Sequence, residues 1–258
     1  MTIELPVLAD HLDALLKHAE TPDYAAALNG VQLAHRGPVR KIAAAVDYSR
    51  RTIEGAIAMG ANLLLVHHGM FWNGTQALVG PAYERLRLLL DHDVAVYASH
   101  LPLDRHPDFG NNPLLARALG LEPTGEFARY KTIQVGVRGD ADLETRELIE
   151  RARQFARGEG GEVVATRVEP HRRTRRWGLC TGSGASPETL AEAAASGIDT
   201  LIVGEGPHYT AIAAEDAGLA IIYAGHYATE TLGVKALAGY VERAFGVGWG
   251  FVEAATGL

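Results

Sequence analysis

The chain has one cysteine, Cys180, in 258 residues. That scarcity excludes an intramolecular disulfide and any zinc ribbon built on cysteine. Long apolar runs are also missing, since none reaches the roughly 20 residues that a membrane-spanning helix needs. The opening residues, MTIELPVLADHLDALL, place acids ahead of the apolar positions, so no secretory signal is expected there. Positive charge is in deficit: the net charge of −7 argues against a nucleic-acid partner. Hydrophobic residues, by contrast, supply 47% of the chain, enough to bury a substantial core in one or two domains. Eleven histidines are present as well. The expectation is a soluble, mildly acidic, cytoplasmic protein with no membrane partner. Any metal in it must be held by histidine and carboxylate.

The pattern along the chain alternates strand and helix. Leu8 to His18 reads as a short amphipathic helix, followed by a loop through Pro22 to the turn at Asn29-Gly30. Residues 41–49 (KIAAAVDYS) and 62–66 (NLLLV) read as buried strands around a helix from Thr52 to Met59 that stops at Gly60. Pro81 to Asp91 is a helix, 94–99 (VAVYAS) a strand, and Asn112 to Leu119 a helix. Between about 123 and 175 the spacing predicts a strand at KTIQVGVR, a charged helix from Leu143 to Arg157 and a strand at EVVATRV. The basic run His171 to Arg176 that follows reads as a solvated loop. Strands separated by helices imply βαβ units.

An internal repeat organises this pattern. Residues 43–66 resemble 178–203, with Gly60 matching Gly197, Asn62 matching Asp199 and Val66 matching Val203. Further on, Tyr97-Ala98-Ser99-His100 matches Tyr223-Ala224-Gly225-His226. The fold class expected is therefore α/β, three-layered, with a mixed sheet and two interwoven, pseudo-duplicated α/β halves. The whole is read as one compact unit, with half one at about 1–122, an inserted α/β segment at 123–175 and half two at 176–258.

Ligands bind outside the carboxyl ends of parallel strands, which directs attention to the residues there. His67 and His68 follow NLLLV, while His100 and Asp104 follow VAVYAS. His226 and Glu230 follow the matching strand of the second half. Imidazole and carboxylate donors suit Zn, Fe, Mn, Ni or Co, and six of them can hold two such ions. Alternation along a strand separates His67 from His68, so each is expected to serve a different ion. Pro102 disfavours a helical Leu101, so His100 and Asp104 are expected to be joined by a loop. Glu205 and His208, after the strand that matches NLLLV, are candidates to support the ligands or move protons. The glycine-rich stretch Thr181 to Ser186 offers a phosphate or oxyanion cradle, but it lacks the lysine and spacing of a P-loop and reads first as a tight βα turn. His11, His18, His35, His92, His106 and His171 are read as ordinary hydrogen-bonded residues.

At VHHGMFW (66–72), SHLPLD (99–104), NGVQL (29–33), TGSGAS (181–186), GEGPHY (204–209) and GHYATE (225–230) the chain resembles a known family. These are the dinuclear metal-centre, ring-hexamer proteins labelled GTP cyclohydrolase 1 type 2-like. The resemblance implies a two-metal site at His67, His68, His100, Asp104, His226 and Glu230, and a toroidal homohexamer. The chain departs from the family in having Ala27-Leu28 before Asn29-Gly30, and Leu-Pro-Leu between His100 and Asp104. The function expected is metal-dependent hydrolysis of a small molecule, such as GTP-like ring opening or phosphoester or amide hydrolysis, with Glu205 and His208 as catalytic candidates. The competing class is a non-enzymatic, metal-binding ring scaffold or regulatory interaction protein.

Overall fold

The computed structural model describes residues 1–72 and 74–257. Chain order runs β1 (Ile3–Glu4), α1 (Leu5–Leu15), a 3-10 turn at His18–Glu20, β2 (Gly30–Leu33), β3 (Pro38–Val39), β4 (Lys41–Asp47), α2 (Arg50–Ala58), β5 (Leu63–His68), α3 (Pro81–Asp91), β6 (Ala95–Ala98) and α4 (Leu101–Asp104). It continues with α5 (Asn111–Ala118), β7 (Gly125–Tyr130), β8 (Ile133–Glu144), α6 (Thr145–Gly158), β9 (Val164–Ala165), β10 (Arg173–Cys180), α7 (Pro187–Ala195), β11 (Thr200–Val203), α8 (His208–Asp216), β12 (Ala220–Tyr223) and α9 (His226–Thr229). It closes with α10 (Thr231–Phe245) and β13 (Gly248–Phe251). Two compact units result, one of Met1–Leu103 with Gly233–Ala254, the other of Asp104–Leu232 with Ala255–Leu258. The first is thus completed by a late segment of the chain.

The first unit carries a sheet in the order β13-β4-β5-β6-β2, parallel except for β2, and a small antiparallel pair of β1 and β3. Alternate residues of its central strands, Ala43, Ala45, Leu64, Val66, Val96 and Ala98, pack with Ile53 and Ala56 of α2 and Leu89 of α3. The opposite alternates, Ile42, Ala44, Leu63, Leu65 and Tyr97, are buried too. On that face the Tyr97 hydroxyl donates to Asp13 of α1 at 2.8 Å. Both faces are therefore covered, which is why these strands read as continuous apolar runs.

The second unit has a six-stranded mixed sheet in the order β7-β8-β10-β11-β12-β9, with β10, β11 and β12 parallel. Leu115 of α5 and Leu148 and Ala152 of α6 pack with Trp177, Leu179, Ile202 and Ile222 on one face. Ala193 of α7 and Ala214 of α8 pack with Leu201, Val203 and Ile221 on the other. The basic run expected to be a solvated loop is instead the start of β10, paired antiparallel with β8. A β-bulge between Thr174 and Arg176 interrupts the alternation, so Thr174 and Trp177 are both buried while Arg173, Arg175 and Arg176 are exposed. Arg173 and Arg176 meet Asp142 and Asp140 of β8. The EVVATRV strand shrinks to Val164–Ala165, and β2, β7, β13 and α8 are elements without a counterpart in the sequence reading.

The duplication extends to hydrogen bonds. Ser49 and Ser186 cap α2 and α7 by accepting the N–H of Thr52 and Thr189 at 3.2 and 3.1 Å. Beyond each helix the chain reverses at Gly60 (φ 69°) and Gly197 (φ 66°), a conformation that glycine adopts without strain. Asn62 Oδ1 accepts the N–H of Arg40 and Lys41, and Asp199 Oδ2 accepts those of Arg175 and Arg176. One equivalence needs correction. The N–H of Ala95 meets Asn62 O and that of Ala220 meets Asp199 O, each at 3.0 Å, so register sets Tyr97 level with Ile222, not Tyr223. The Tyr-Ala-x-His match is offset by one residue. Accordingly Tyr97 faces α1, whereas Tyr223 faces α8 through Thr210 at 2.8 Å.

Candidate metal centre

In the first unit β5 runs through both His67 and His68, and β6 ends just before His100. All three are buried, and their donor atoms lie within 4.8 Å of one another, so together they could hold a metal ion. At the last residues of the strand the rings of His67 and His68 stand 4.8 Å apart, tilted by 53°.

Each imidazole is gripped at Nδ1 by an oxygen. His67 donates to the carbonyl of Ser99 at 2.9 Å, His68 to Asp47 Oδ1 at 2.8 Å and His100 to Asp23 Oδ1 at 2.8 Å. An oxygen acceptor holds the ring proton on Nδ1 and so directs the lone pair to Nε2, the form that ligates metal. Asp23 is itself fixed by the side chain of Asn29 at 2.9 Å and the N–H of Leu101 at 3.0 Å. Asn29 also accepts the N–H of His100 at 2.7 Å, which gives the Asn-Gly motif a physical task. Burial alone would raise the Asp23 carboxyl, but the His100 and Asn29 hydrogen bonds outweigh it and hold its pKa below the ordinary value. Trp72 covers the cluster, its ring 4.6 Å from His68 and 4.5 Å from His100.

His100 and Asp104 are not separated by an open loop, as Pro102 suggested; Leu101–Asp104 is a single helical turn. Proline is tolerated there because a first-turn N–H has no intrahelical partner to lose.

In the second unit Asp104, Glu230 and part of His226 are buried. Asp104 Oδ1 accepts from Asn111 Nδ2 at 2.8 Å. His226 opens α9, its Nδ1 2.8 Å from Glu205 Oε1 and its Nε2 3.1 Å from Glu230 Oε2. Burial would lower the imidazole pKa, yet the Glu230 and Glu205 carboxylates overcome it and push the pKa to about 9. An imidazole so placed attracts a cation, whether a proton or a metal. Gly182 lies against Glu230 so closely that a Cβ would collide with Oε1 and press on His226 Nε2. The glycine-rich loop is therefore a βα turn that makes room for these two side chains. His208 stands exposed at the first residue of α8. Sequence reasoning gave no role to Asp23 or Asp47 and quoted Asn29 only within its motif, because these side chains carry no signal until folding brings them to His68 and His100.

The donor set suits a divalent transition metal: imidazoles with Nδ1 engaged by oxygen, and buried carboxylates that need positive charge nearby. An α/β protein with duplicated βαβαβ units and histidine clusters able to hold a metal ion is the class that the fold and these residues define. The chain belongs to the Duf34/NIF3 (NGG1p interacting factor 3) family, whose model matches residues 4–256. It is 41% identical over 233 residues to a Deinococcus radiodurans protein named "GTP cyclohydrolase 1 type 2 homolog", covering 90% of this chain and 86% of that one. A Pyrococcus abyssi protein of the same name is 37% identical, covering 99% and 100%. Among solved structures, protein ybgI, of unknown function, superposes with a TM-score of 0.89 at 30% identity, covering 99% of this chain and 100% of that one. TTHA1606 from Thermus thermophilus gives 0.85 at 32%, with coverage of 99% and 100%. The family resemblance read from the short motifs holds over nearly the whole chain. Among the described residues no helix is long and apolar enough to cross a membrane.

Proposed function

We propose that His67, His68, His100, Asp104, His226 and Glu230 hold two divalent transition-metal ions, and that the resulting centre hydrolyses a small molecule. One observation carries this reading. All four histidines have Nδ1 within 2.8 to 2.9 Å of an oxygen acceptor: the Ser99 carbonyl, Asp47, Asp23 and Glu205. His18 and His92 share such an Nδ1 contact, but His67, His68 and His100 also bring their donor atoms within 4.8 Å of one another, as metal ligands do. Bound ions would supply Lewis acidity and bring water into its nucleophilic form near neutral pH.

The protein's own residues then have separate tasks. Glu205, spent on His226 Nδ1, positions that ligand. His208, exposed and outside the hydrogen-bonded set that holds the ligands, is the group given the proton transfer. The small-molecule class follows the naming of the relatives as GTP cyclohydrolase 1 type 2 homologs: a nucleotide whose ring or phosphoester is opened by water. A homohexamer belongs to the same proposal.

Metal analysis of protein purified without chelator in metal-replete medium tests the centre. Two transition-metal ions per chain are expected, and less than one overturns the reading. His208→Ala should lower turnover about 100-fold or more, the range for a general acid or base, at unchanged metal content. Light scattering should return six times the 27.6 kDa chain mass.

A further inference from the structure

His18 reads from the sequence as an ordinary histidine, but its surroundings are not ordinary. It begins the 3-10 turn after α1, delivered there by Lys17 in the left-handed conformation at φ 55°. A non-glycine residue pays roughly 1–2 kcal/mol for that conformation, so the turn has a reason beyond local propensity. His18 Nδ1 lies 2.9 Å from Asp13 Oδ1, and His18 Nε2 lies 2.9 Å from Ser99 Oγ. The ring also stacks on Tyr97 at 5.9 Å, and Tyr97 donates its hydroxyl to the same Asp13 oxygen at 2.8 Å. Burial lowers the His18 pKa against the pull of Asp13, so the ring is neutral. With its proton on Nδ1 facing the carboxylate, Nε2 accepts the Ser99 hydroxyl.

Carboxylate, imidazole and serine in this order are the groups of a hydrolytic triad. Here, however, Ser99 is 1% exposed and its hydroxyl is given to His18. What Ser99 offers is its carbonyl, which accepts Nδ1–H of His67 at 2.9 Å. The peptide unit bearing that carbonyl is held from its other end as well, because its N–H belongs to His100 and donates to Asn29 Oδ1 at 2.7 Å. The Ser99 N–H in turn meets Val66 O at 3.1 Å. Of the three histidines in the cluster, His67 alone is gripped by a main-chain carbonyl instead of a carboxylate. A carbonyl is the weaker acceptor, so its direction has to be secured by what surrounds it.

We propose that Asp13, His18 and Ser99 form a positioning chain that sets the Ser99 carbonyl and, through it, the tautomer and aim of His67 towards metal. The inference rests on the metal-centre reading above. Within it, α1 acts on the centre although none of its residues is a ligand. His18 is a positioning residue, and Ser99 acts through its main chain.

The test measures affinity for Co(II) by competition with a chelating indicator, together with the Co(II) absorption band. In parallel, the imidazole 15N shifts of His67 are read in the metal-free protein. His18→Ala and Ser99→Ala should each weaken Co(II) binding about tenfold, the lower range for an outer partner of a ligand. Each should also shift the Co(II) band and mix the His67 tautomers in the metal-free state. The double variant should be no weaker than either single one, because both cut the same link. His18→Gln, whose amide oxygen can still accept the serine hydroxyl, should recover affinity to within about threefold.

Unchanged affinity and band in folded Ser99→Ala, or a single His67 tautomer in His18→Ala, overturns the positioning chain alone. Failure of the parent protein to bind Co(II) overturns the metal centre and this inference with it. A variant that does not fold is replaced by His18→Gln paired with Asp13→Asn, read by the same shifts.

Discussion

In the first repeat the candidate metal ligands stand at the strand ends, His67 and His68 on the last residues of β5 and His100 two residues after β6. In the second repeat they leave the helical turn after β12, His226 as its first residue and Glu230 just beyond its last. The scaffolding is shared to the level of single hydrogen bonds: serine caps, glycine reversals, and the Asn62 and Asp199 clamps on neighbouring backbone. The chemistry delivered is not. One repeat presents three imidazoles whose acids, Asp47 and Asp23, stand behind them as orienting groups. The other presents carboxylate and imidazole side by side, with Gly225 at φ 88° as the extra residue before His226. Duplication fixed where the strand ends lie, and a one-residue offset changed which side chains reach out from them. A repeat can thus keep its packing while its functional groups diverge, because strand ends lie outside the core that constrains the strands.

The largest effect expected from breaking this comparison is at Gly182. Gly182→Ala adds a Cβ where Glu230 and His226 already sit, at φ 62°. Metal affinity should fall about 100-fold or more, beyond the loss of a supporting group, measured by chelator competition. The histidine cluster of the first unit should be untouched, as judged by the 15N shifts of its three rings. Next come the orienting acids: Asp47→Ala and Glu205→Ala should each weaken metal binding about 10- to 100-fold. If the repeats are equivalent in outer support the two losses will match, and a silent Asp47→Ala removes His68 from the ligand set.

The pH dependence of the metal-free protein separates the units further. His226 is raised from 6.5 to about 9, so its contribution is full below 6.5 and disappears as pH rises through 9. The contribution amounts to about 3 kcal/mol, since each tenfold gain in proton affinity is worth about 1.4 kcal/mol. Asp23 is lowered from 3.8, so its contribution is present above 3.8 and disappears as pH falls through the depressed value. Urea unfolding of metal-free protein should therefore show an alkaline loss that Glu205→Gln reduces and an acid loss that His100→Ala reduces. The smallest effect tests the matched clamps. Asn62→Asp buries a charge and removes the donors to His35 and Pro38, and should cost about 2 kcal/mol. Asp199→Asn keeps an acceptor in a less buried setting and should cost about half as much. Equal costs would make the two clamps energetically interchangeable.

Much of the first repeat was legible because its strands are buried on both faces and its helices are bounded by proline or glycine, Pro81 opening α3 and Gly60 and Gly120 following α2 and α5. Thr52 to Met59, Pro81 to Asp91 and Asn112 to Leu119 fall close to α2, α3 and α5 for that reason. The elements that escaped are short or at edges. β2 and β13 pair at sheet margins, where few apolar contacts are needed and the sequence carries little period. Only the start of β10 escaped, because its outward arginines masked the inward Thr174 and Trp177. The ligand candidates were visible as polar residues interrupting apolar strand ends, a local signal. Asp23, Asp47 and the Asp13, His18 and Ser99 chain were not, since each depends on a partner 21 to 81 residues away.

The sequence by itself determined the α/β class, the duplication, the family and a nitrogen-and-oxygen donor set, the last because one cysteine leaves nothing else to hold a metal. These are properties of composition, period and short motifs, which a chain displays before it folds. Only the tertiary structure decided the one-residue offset between the repeats, the helical turn at Leu101–Asp104 and the tautomer imposed on each histidine. Those depend on strand register and on contacts distant in sequence, and a ring nitrogen has no defined role until an oxygen from elsewhere in the chain stands beside it.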